Sequence, residues 1–345
     1  MSTSPATTKG AGAPAPIRGM VGSHLSVAGG AHHALEEAIR LGLDCVQVFT
    51  RNQRQWKAPP LTDEAIAQWK ATRASIGWDD RPERVVSHNS YLVNLASPDD
   101  DLRTRSIELQ RDELERCEAL GIAWCVAHPG AHLGAARDPK SPNVLRGEPN
   151  ADEAAGLRRI AQSLDTIHRA LKGYRVQTCL ETTTGSGTNL GYDFGHLRRI
   201  RELVKEPERI AFCLDSCHVT SAGYDMSSPA AAEATLEEFG QVCGKTLLKV
   251  LHINDSQMPP GSRKDRHEHI GKGTCGLACF EAIMRDPDLA FVPKILETEK
   301  DDAPDGSPWD AVNAETLRRM LPAQRTRSSR APAPKREQRN STRCG

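Results

Sequence analysis

The sequence predicts a single (β/α)8 barrel, an α/β fold with its active site at the carboxyl ends of the strands, and three observations predict it. Eight short apolar runs rich in β-branched residues recur along the chain, amphipathic stretches lie between them, and six of the runs end on a side chain able to bind metal. A parallel sheet needs helical crossovers, and eight strands close without leaving an edge. A doubly wound open sheet is the runner-up. The barrel is preferred because its functional groups gather at the carboxyl ends of the strands, where these side chains fall.

The first run, 19–24, leads into a helical stretch at 30–41, and Gly42 stands where that helix should stop. The second run, 45–50, precedes helical residues 63–75. The third, 84–88, precedes a long stretch at 101–120 in which Leu102, Ile107, Leu109, Leu114 and Leu120 recur at spacings near three and four amid charges, one face of a helix packed on a sheet. Gly121 follows as a stop signal. Then come run 123–128, helix 151–171 with Gly173 behind it, run 176–181, helix 194–204, run 210–215, helix 228–240, run 247–254, helix 278–286 and run 292–297. Two long segments rich in Gly, Pro and charge, 129–149 and 257–276, are expected to flank the mouth, because loops of that length in a compact domain are often functional.

Composition sets the background. The chain has 345 residues with a hydrophobic share of 38%, enough for a sizeable core, and no apolar stretch long enough to span a bilayer, so a soluble protein without a membrane partner is expected. Residues 1–18 are Ala, Pro, Thr, Ser and Gly without a secretory pattern and read as a flexible arm. Of ten cysteines, Cys45, Cys125, Cys179 and Cys213 lie inside apolar runs, which points to buried thiols and a reducing, cytoplasmic setting. The pairs Cys213 with Cys217 and Cys275 with Cys279 are four apart, wider than paired structural zinc ligands usually are, and read as core.

Formal charge sums to zero, yet it is unevenly placed. Residues 323–345 carry Arg325, Arg327, Arg330, Lys335, Arg336, Arg339 and Arg343 against the single acid Glu337. The expected organisation is therefore an arm at 1–18, a barrel at 19–322 and a basic disordered tail. The tail reads equally as a phosphate-attracting or a solubilising extension.

Nine side chains carry the chemistry: His88, His128, Glu181, Asp215, His218, His252, Asp265, His267 and Glu297. They suffice for more than one ion, and imidazole with carboxylate suits zinc or manganese. Asp215 should end a strand pointing into the mouth with His218 on the loop beyond it, and Asp265 and His267 should project the same way from an extended loop. A carboxylate such as Glu181 is able to bridge two ions. Divalent ions in an open mouth suit phosphodiester hydrolysis, since they generate hydroxide near neutral pH and neutralise phosphate oxygens. His24 reads as a residue behind the ligands. His32, His33, His168 and His196, in helical stretches beside charges, read as surface residues.

The motifs that carry these residues resemble the endonuclease IV family of zinc-dependent apurinic/apyrimidinic endonucleases. They are 22–30 (GSHLSVAGG), 49–56 (FTRNQRQW), 88–95 (HNSYLVNL), 127–130 (AHPG), 180–182 (LET), 213–218 (CLDSCH), 251–255 (LHIND), 265–267 (DRH) and 295–298 (ILET), spread over most of the chain. The resemblance implies three zinc ions, with manganese an alternative at one. His88, His128 and Glu181 would hold the first, Glu181 with Asp215, His252 and Glu297 the second, and His218, Asp265 and His267 the third. It implies a hydroxide nucleophile between the first two ions, and Glu181 and Glu297 as catalytic carboxylates. The implied reaction is hydrolysis 5′ to an abasic site in duplex DNA, leaving a 3′-hydroxyl and a 5′-deoxyribose phosphate, with trimming of blocked 3′ ends, by a monomer. Arg54 and Tyr91 match the positions that contact DNA. Residues 268–272 (EHIGK), the arm and the tail fall outside the shared motifs.

Two rivals stand beside this reading. A sugar isomerase or epimerase on a similar barrel would use Glu181, Asp215, His252 and Glu297 around one metal pair and leave the other five ligands without work. A DNA binder stapled by metals would bind without cutting, but structural sites are usually closed sets of Cys and His.

Overall fold

The structure, a computed structural model, describes residues 19–136 and 147–322; the expected arm at 1–18 and basic tail at 323–345 lie outside them. The chain runs β1 (Val21–His24), α1 (His32–Arg40), β2 (Cys45–Phe49), α2 (Asp63–Ser75), β3 (Val85–His88), α3 (Asp100–Leu120), β4 (Trp124–Ala127) and α4 (Ala151–Ala170). It continues with β5 (Gln177–Glu181), α5 (Phe194–Leu203), β6 (Ile210–Asp215), α6 (Ser216–Ala222), α7 (Pro229–Phe239) and β7 (Leu248–His252). A two-stranded hairpin, β8 (Asp255–Ser256) and β9 (His267–Glu268), then precedes α8 (Leu277–Arg285), β10 (Lys294–Leu296) and α9 (Trp309–Arg319). Eight parallel strands close in the order β1-β10-β7-β6-β5-β4-β3-β2, the (β/α)8 barrel that the alternation predicts.

Side chains alternate between the two faces of a strand, and here both faces are buried. Cys45, Val86, Val126, Cys179, Cys213, Val250 and Ile295 fill the barrel interior as one cluster. The intervening residues, among them Val46, Val85, Leu180, Phe212, Leu214, Leu251 and Leu296, pack outward against the helices. Two residues beyond an interior position the chain faces inward again. That parity carries His88, His128, Glu181, Asp215, His252 and Glu297 into one layer above the apolar floor. Gly22 on β1 leaves room for the β2 backbone: a Cβ there would lie 2.1 Å from the Cys45 carbonyl oxygen.

Helix boundaries follow capping chemistry. Asp99 accepts from Leu102 N at 2.9 Å to start α3, and Gly121, at φ 69°, ends it. Asn150 and Glu153 form a reciprocal box at the start of α4. Three elements are additional to the expected pattern. The short helix α6 begins immediately at the end of β6, so His218 lies on a helix rather than a loop. The hairpin and α9 are the others, and the buried face of α9 is only Asp310, Asn313, Ala314 and Leu317, too polar to read as core.

Two of the four histidines expected at the surface are not there. His168 and His196 are each 1% exposed, while His32 is half-buried and His33 exposed. His168 follows Leu164 and Ile167 on the inner face of α4, and His196 sits with Leu197 and Ile200 on that of α5, its ring 4.8 Å from Tyr192. Their charged sequence neighbours occupy the opposite faces.

Burial, with the Arg209 charge beside it, lowers the His168 pKa to about 4. Its folded value is below the unfolded one, so its contribution to stability is complete above pH ~6.5 and is lost as the pH falls from there toward 4. Chemical denaturation at pH 7 and pH 4.5 should therefore show His168→Gln losing less stability on acidification than the wild type, by on the order of 2 kcal/mol. Equal losses would mean that His168 titrates normally.

Candidate metal centre

All nine candidate ligands meet at one rim. Glu181, wholly buried at the end of β5, is the hub, and its two oxygens face different partners. Oε2 lies 3.3 Å from His88 Nε2 and 3.0 Å from His128 Nε2. Oε1 lies 2.8 Å from His252 Nδ1 and 3.4 Å from His218 Nδ1. His252 Nδ1 is also 3.1 Å from Glu297 Oε2 and 3.8 Å from Asp215 Oδ2. Farther out, Asp265 spans two imidazoles, with Oδ2 3.1 Å from His218 Nε2 and Oδ1 3.3 Å from His267 Nε2. His267 Nε2 is 3.5 Å from Asp215 Oδ2. Donor atoms of His88, His128 and Glu181 lie within 4.8 Å of one another, as do those of Asp215, His218 and His267.

Four of these imidazoles are held from behind. His88 Nδ1 donates to Asn89 O at 2.8 Å, His218 Nδ1 to Thr182 O at 2.8 Å, His267 Nδ1 to Glu297 O at 3.1 Å, and His252 Nε2 to the Gln47 side-chain oxygen at 2.9 Å. With one N–H committed to a carbonyl, the other nitrogen of each ring presents a lone pair to carboxylates. Such a contact is repulsive unless a proton or a cation lies between. The Nε2 atoms of His218 and His267 are buried and have no hydrogen-bond partner of good geometry. An imidazole fixed by a carbonyl on one nitrogen and facing carboxylates with the other is the usual setting of a metal ligand.

The titration behaviour has the same origin. Burial alone would raise the Glu181 pKa, but His252 and His128 outweigh it and hold the carboxyl well below its ordinary range. Glu297 is likewise held low against its burial, chiefly by His252 and His24. Burial opposes charge on His218, yet Asp215 and Asp265 draw its pKa well above 6.5. Divalent cations on these donors would displace such protons and leave the imidazoles neutral, as ligation requires.

Two positioning residues carry no signal in a search for ligands. Gln47, interior by its parity with Cys45, donates to Glu297 Oε1 at 2.6 Å and accepts from His252, with its amide nitrogen 3.0 Å from His24 Nδ1. Asn254 donates to Asp215 Oδ2 at 2.8 Å and accepts from Glu297 N at 2.7 Å. His24 stands behind the ligands, 3.3 Å from Glu297 Oε1. One inward polar residue from each barrel strand thus reaches this layer. Asp215 also acts on the backbone, where its Oδ1 accepts from His218 N at 2.8 Å and caps α6.

Beyond the layer, His128, His218, Asp265, Lys264, Arg266 and Asn189 border a cavity of about 360 Å³. Its outer wall is the 257–276 loop, held by Asp255, whose carboxylate accepts from the backbone of Gly271, Gly273 and Cys275. Tyr91 is 61% exposed, with its ring 5.4 Å from His88 and 5.8 Å from Phe49. Arg54 is exposed on a loop pinned by Arg116 to Pro59 O at 2.6 Å and by Ser90 to Gln53 O at 2.7 Å. His132 is buried, and its Nδ1 accepts from Gly134 N at 3.2 Å. The cysteines Cys213, Cys217, Cys275 and Cys279 are buried and free, and burial keeps the Cys217 thiol up at about 11.

Residues 35–322 match the family model described as xylose isomerase-like TIM barrel. The chain is 40% identical over 305 residues to a probable endonuclease 4 of Geotalea daltonii, covering 88% of this chain and 99% of that one. A probable endonuclease 4 of Chloroflexus aggregans is 40% identical over 279 residues, 81% and 91% of the two chains. Among solved structures, endonuclease IV from Thermus thermophilus superposes with a TM-score of 0.70 at 30% identity, covering 87% and 98%. A D-tagatose 3-epimerase-like protein superposes at 0.60 with 18% identity, a likeness of fold alone. With the motifs, the barrel and these relatives in agreement, the chain belongs to the endonuclease IV family of apurinic/apyrimidinic-site endonucleases.

Proposed function

We propose that the protein hydrolyses the phosphodiester on the 5′ side of abasic sites in duplex DNA, leaving a 3′-hydroxyl and a 5′-deoxyribose phosphate, and that it trims blocked 3′ ends. The observation that supports this best is the division of the donors into two groups on the separate oxygens of Glu181 and an outer group of His218, Asp265 and His267. The donor set suits zinc. His88, His128 and Glu181 would hold one ion, Glu181, Asp215, His252 and Glu297 a second, and His218, Asp265 and His267 a third. Bound there, such ions supply hydroxide near neutral pH and neutralise charge on the phosphate and on the departing oxygen.

The protein's own contribution is positioning. Glu181 and Glu297 keep their negative charge despite burial, and the carbonyl-anchored imidazoles fix the directions of their free nitrogens. Tyr91 stands over His88 at the edge of the mouth, where it would meet an extruded abasic nucleotide, and Arg54 would meet the duplex beside it. An abasic nucleotide has neither stacking nor pairing to lose, so its extrusion costs less than that of an intact one. A sugar isomerase has no use for the outer group of His218, Asp265 and His267. Among the described residues no helix is long and apolar enough to cross a membrane.

The direct test is a duplex bearing one tetrahydrofuran abasic analogue, incubated without added magnesium. The wild type should cut once, immediately 5′ to the analogue, which cannot undergo β-elimination. Glu181→Gln should lose several orders of magnitude in incision with an unchanged fold by circular dichroism. Near-normal turnover would remove Glu181 from the proposed role.

Gln47→Leu leaves Glu297 and His252 without their shared support. After dialysis against a weak chelator it should retain fewer than the three zinc equivalents expected of the wild type, with affinity lower by about 10–100-fold. Equal retention would show that Gln47 positions nothing.

Deletion of 324–345 tests the basic tail. If these residues contact phosphates, the slope of log K against log salt for duplex binding should fall by about one or more. An identical slope would leave the tail no part in binding.

A further inference from the structure

The first turn of α1 gathers a second set of donors, apart from the nine at the rim. Donor atoms of His32, His33 and Glu36 all lie within 4.8 Å of one another. Residues three and four apart share a helix face, which places Glu36 beside both histidines. Adjacent residues ordinarily diverge by about 100° around a helix, yet the rings of His32 and His33 are 4.0 Å apart.

The turn before α1 makes room for that pair. Val27 O accepts from Gly30 N and Gly30 O from His33 N, each at 3.1 Å, with φ at 81° for Gly29 and 144° for Gly30. A Cβ on Gly30 would lie 2.5 Å from His32 Cε1, so a side chain there would displace the ring. The Gln68 side-chain amide reaches across from α2 to within 2.9 Å of His32 Nε2, and His33 Nδ1 lies 3.0 Å from Glu36 Oε2. His32 is half-buried, whereas the His33 and Glu36 side chains are 49% and 58% exposed, which leaves the group open to an ion from solvent.

We propose that His32, His33 and Glu36 form an auxiliary site for one zinc ion at the start of α1, separate from the nine-donor centre. Two imidazoles and a carboxylate are ligands that suit zinc, and three protein donors leave a fourth position to water. With Nε2 of His32 beside Gln68, Nδ1 is the nitrogen left for the ion, and the amide turned to present its oxygen accepts from Nε2–H. Main-chain carbonyls hold His88 and His218 in the same manner. The positive end of the α1 dipole opposes a cation, and water competes at an open surface, so this site would hold its ion more weakly than the buried centre.

The test is uptake of zinc chloride by the metal-loaded protein, followed by calorimetry and equilibrium dialysis. Wild type should bind one equivalent more than the double variant His32→Ala with His33→Ala. Glu36→Gln, which leaves both rings in place, and Gln68→Leu, which removes the support behind His32, should each weaken that extra binding by about tenfold or more. Added zinc should raise the melting temperature of wild type above that of the double variant. Each readout is a difference between proteins with the same centre, so it holds whatever number of ions the centre takes and whether or not it cuts DNA. Equal uptake by wild type and the double variant would overturn the site, as would undiminished affinity in Glu36→Gln.

Discussion

A carboxylate with no exposure to solvent is costly unless its surroundings keep it charged, and Glu181 is such a group. It is kept charged by four imidazoles, those of His88, His128, His218 and His252, within 3.4 Å of its oxygens. Three of these imidazoles are kept from turning away. Main-chain carbonyls behind His88 and His218, and Gln47 behind His252, do this. The need to satisfy one buried charge thus propagates outward through two layers of hydrogen bonds and fixes the directions of the donors before any substrate arrives.

The barrel supplies this layer through strand parity, but only for residues on its eight strands. His218, Asp265 and His267 come from elsewhere, and each has its own support. Asp215 caps the helix that carries His218, which ties the outer group to the inner one through a single carboxylate. Asp265 and His267 lie on or beside a hairpin, and the loop that follows it is gathered by Asp255 through the backbone N–H groups of Gly271, Gly273 and Cys275. The far side of that loop is anchored by His269, stacked 4.1 Å from Trp309 and 3.1 Å from Asn313 Nδ2. The otherwise unassigned residues 268–272 thereby connect the outer donors to α9.

The nine donors are legible in the sequence because each inner one follows an apolar run and so inherits an inward direction from the period of two. Gln47 obeys the same rule and is invisible there, since it is neutral, lies inside its run, and binds no metal in any simple reading of residue type. His168 and His196 mislead in the opposite direction: charged sequence neighbours such as Arg169 and Arg198 suggest exposure, whereas position around the helix decides it. Helix α9 escapes recognition by periodicity because its inner face carries Asp310 and Asn313, which hydrogen-bond to Lys300 and Thr298 rather than packing as core. Arg54 and Tyr91 stand out only through their motifs; no spacing or composition marks an exposed loop residue as a contact for DNA.

Structural likeness to epimerases at low identity shows how little the barrel itself decides. Glu181, Asp215, His252 and Glu297 are strand-end residues of a kind that a sugar enzyme on the same scaffold would equally use for one metal pair. What separates the two chemistries here is where the remaining donors originate. His88 and His128 enlarge the inner layer, and His218, Asp265 and His267 build a second tier from a helix and a hairpin. A tier built on connecting segments can change without disturbing barrel closure, because its supports are local: the cap on α6, the Asp255 clamp and the His269 stack. Phosphodiester chemistry needs charge stabilised at both the attacked phosphorus and the departing oxygen. The second tier would provide a separate set of donors at the distance of one side chain from the first, and that spacing, set by Asp215 and Asp265 reaching between histidines, is what a nuclease would need of this barrel.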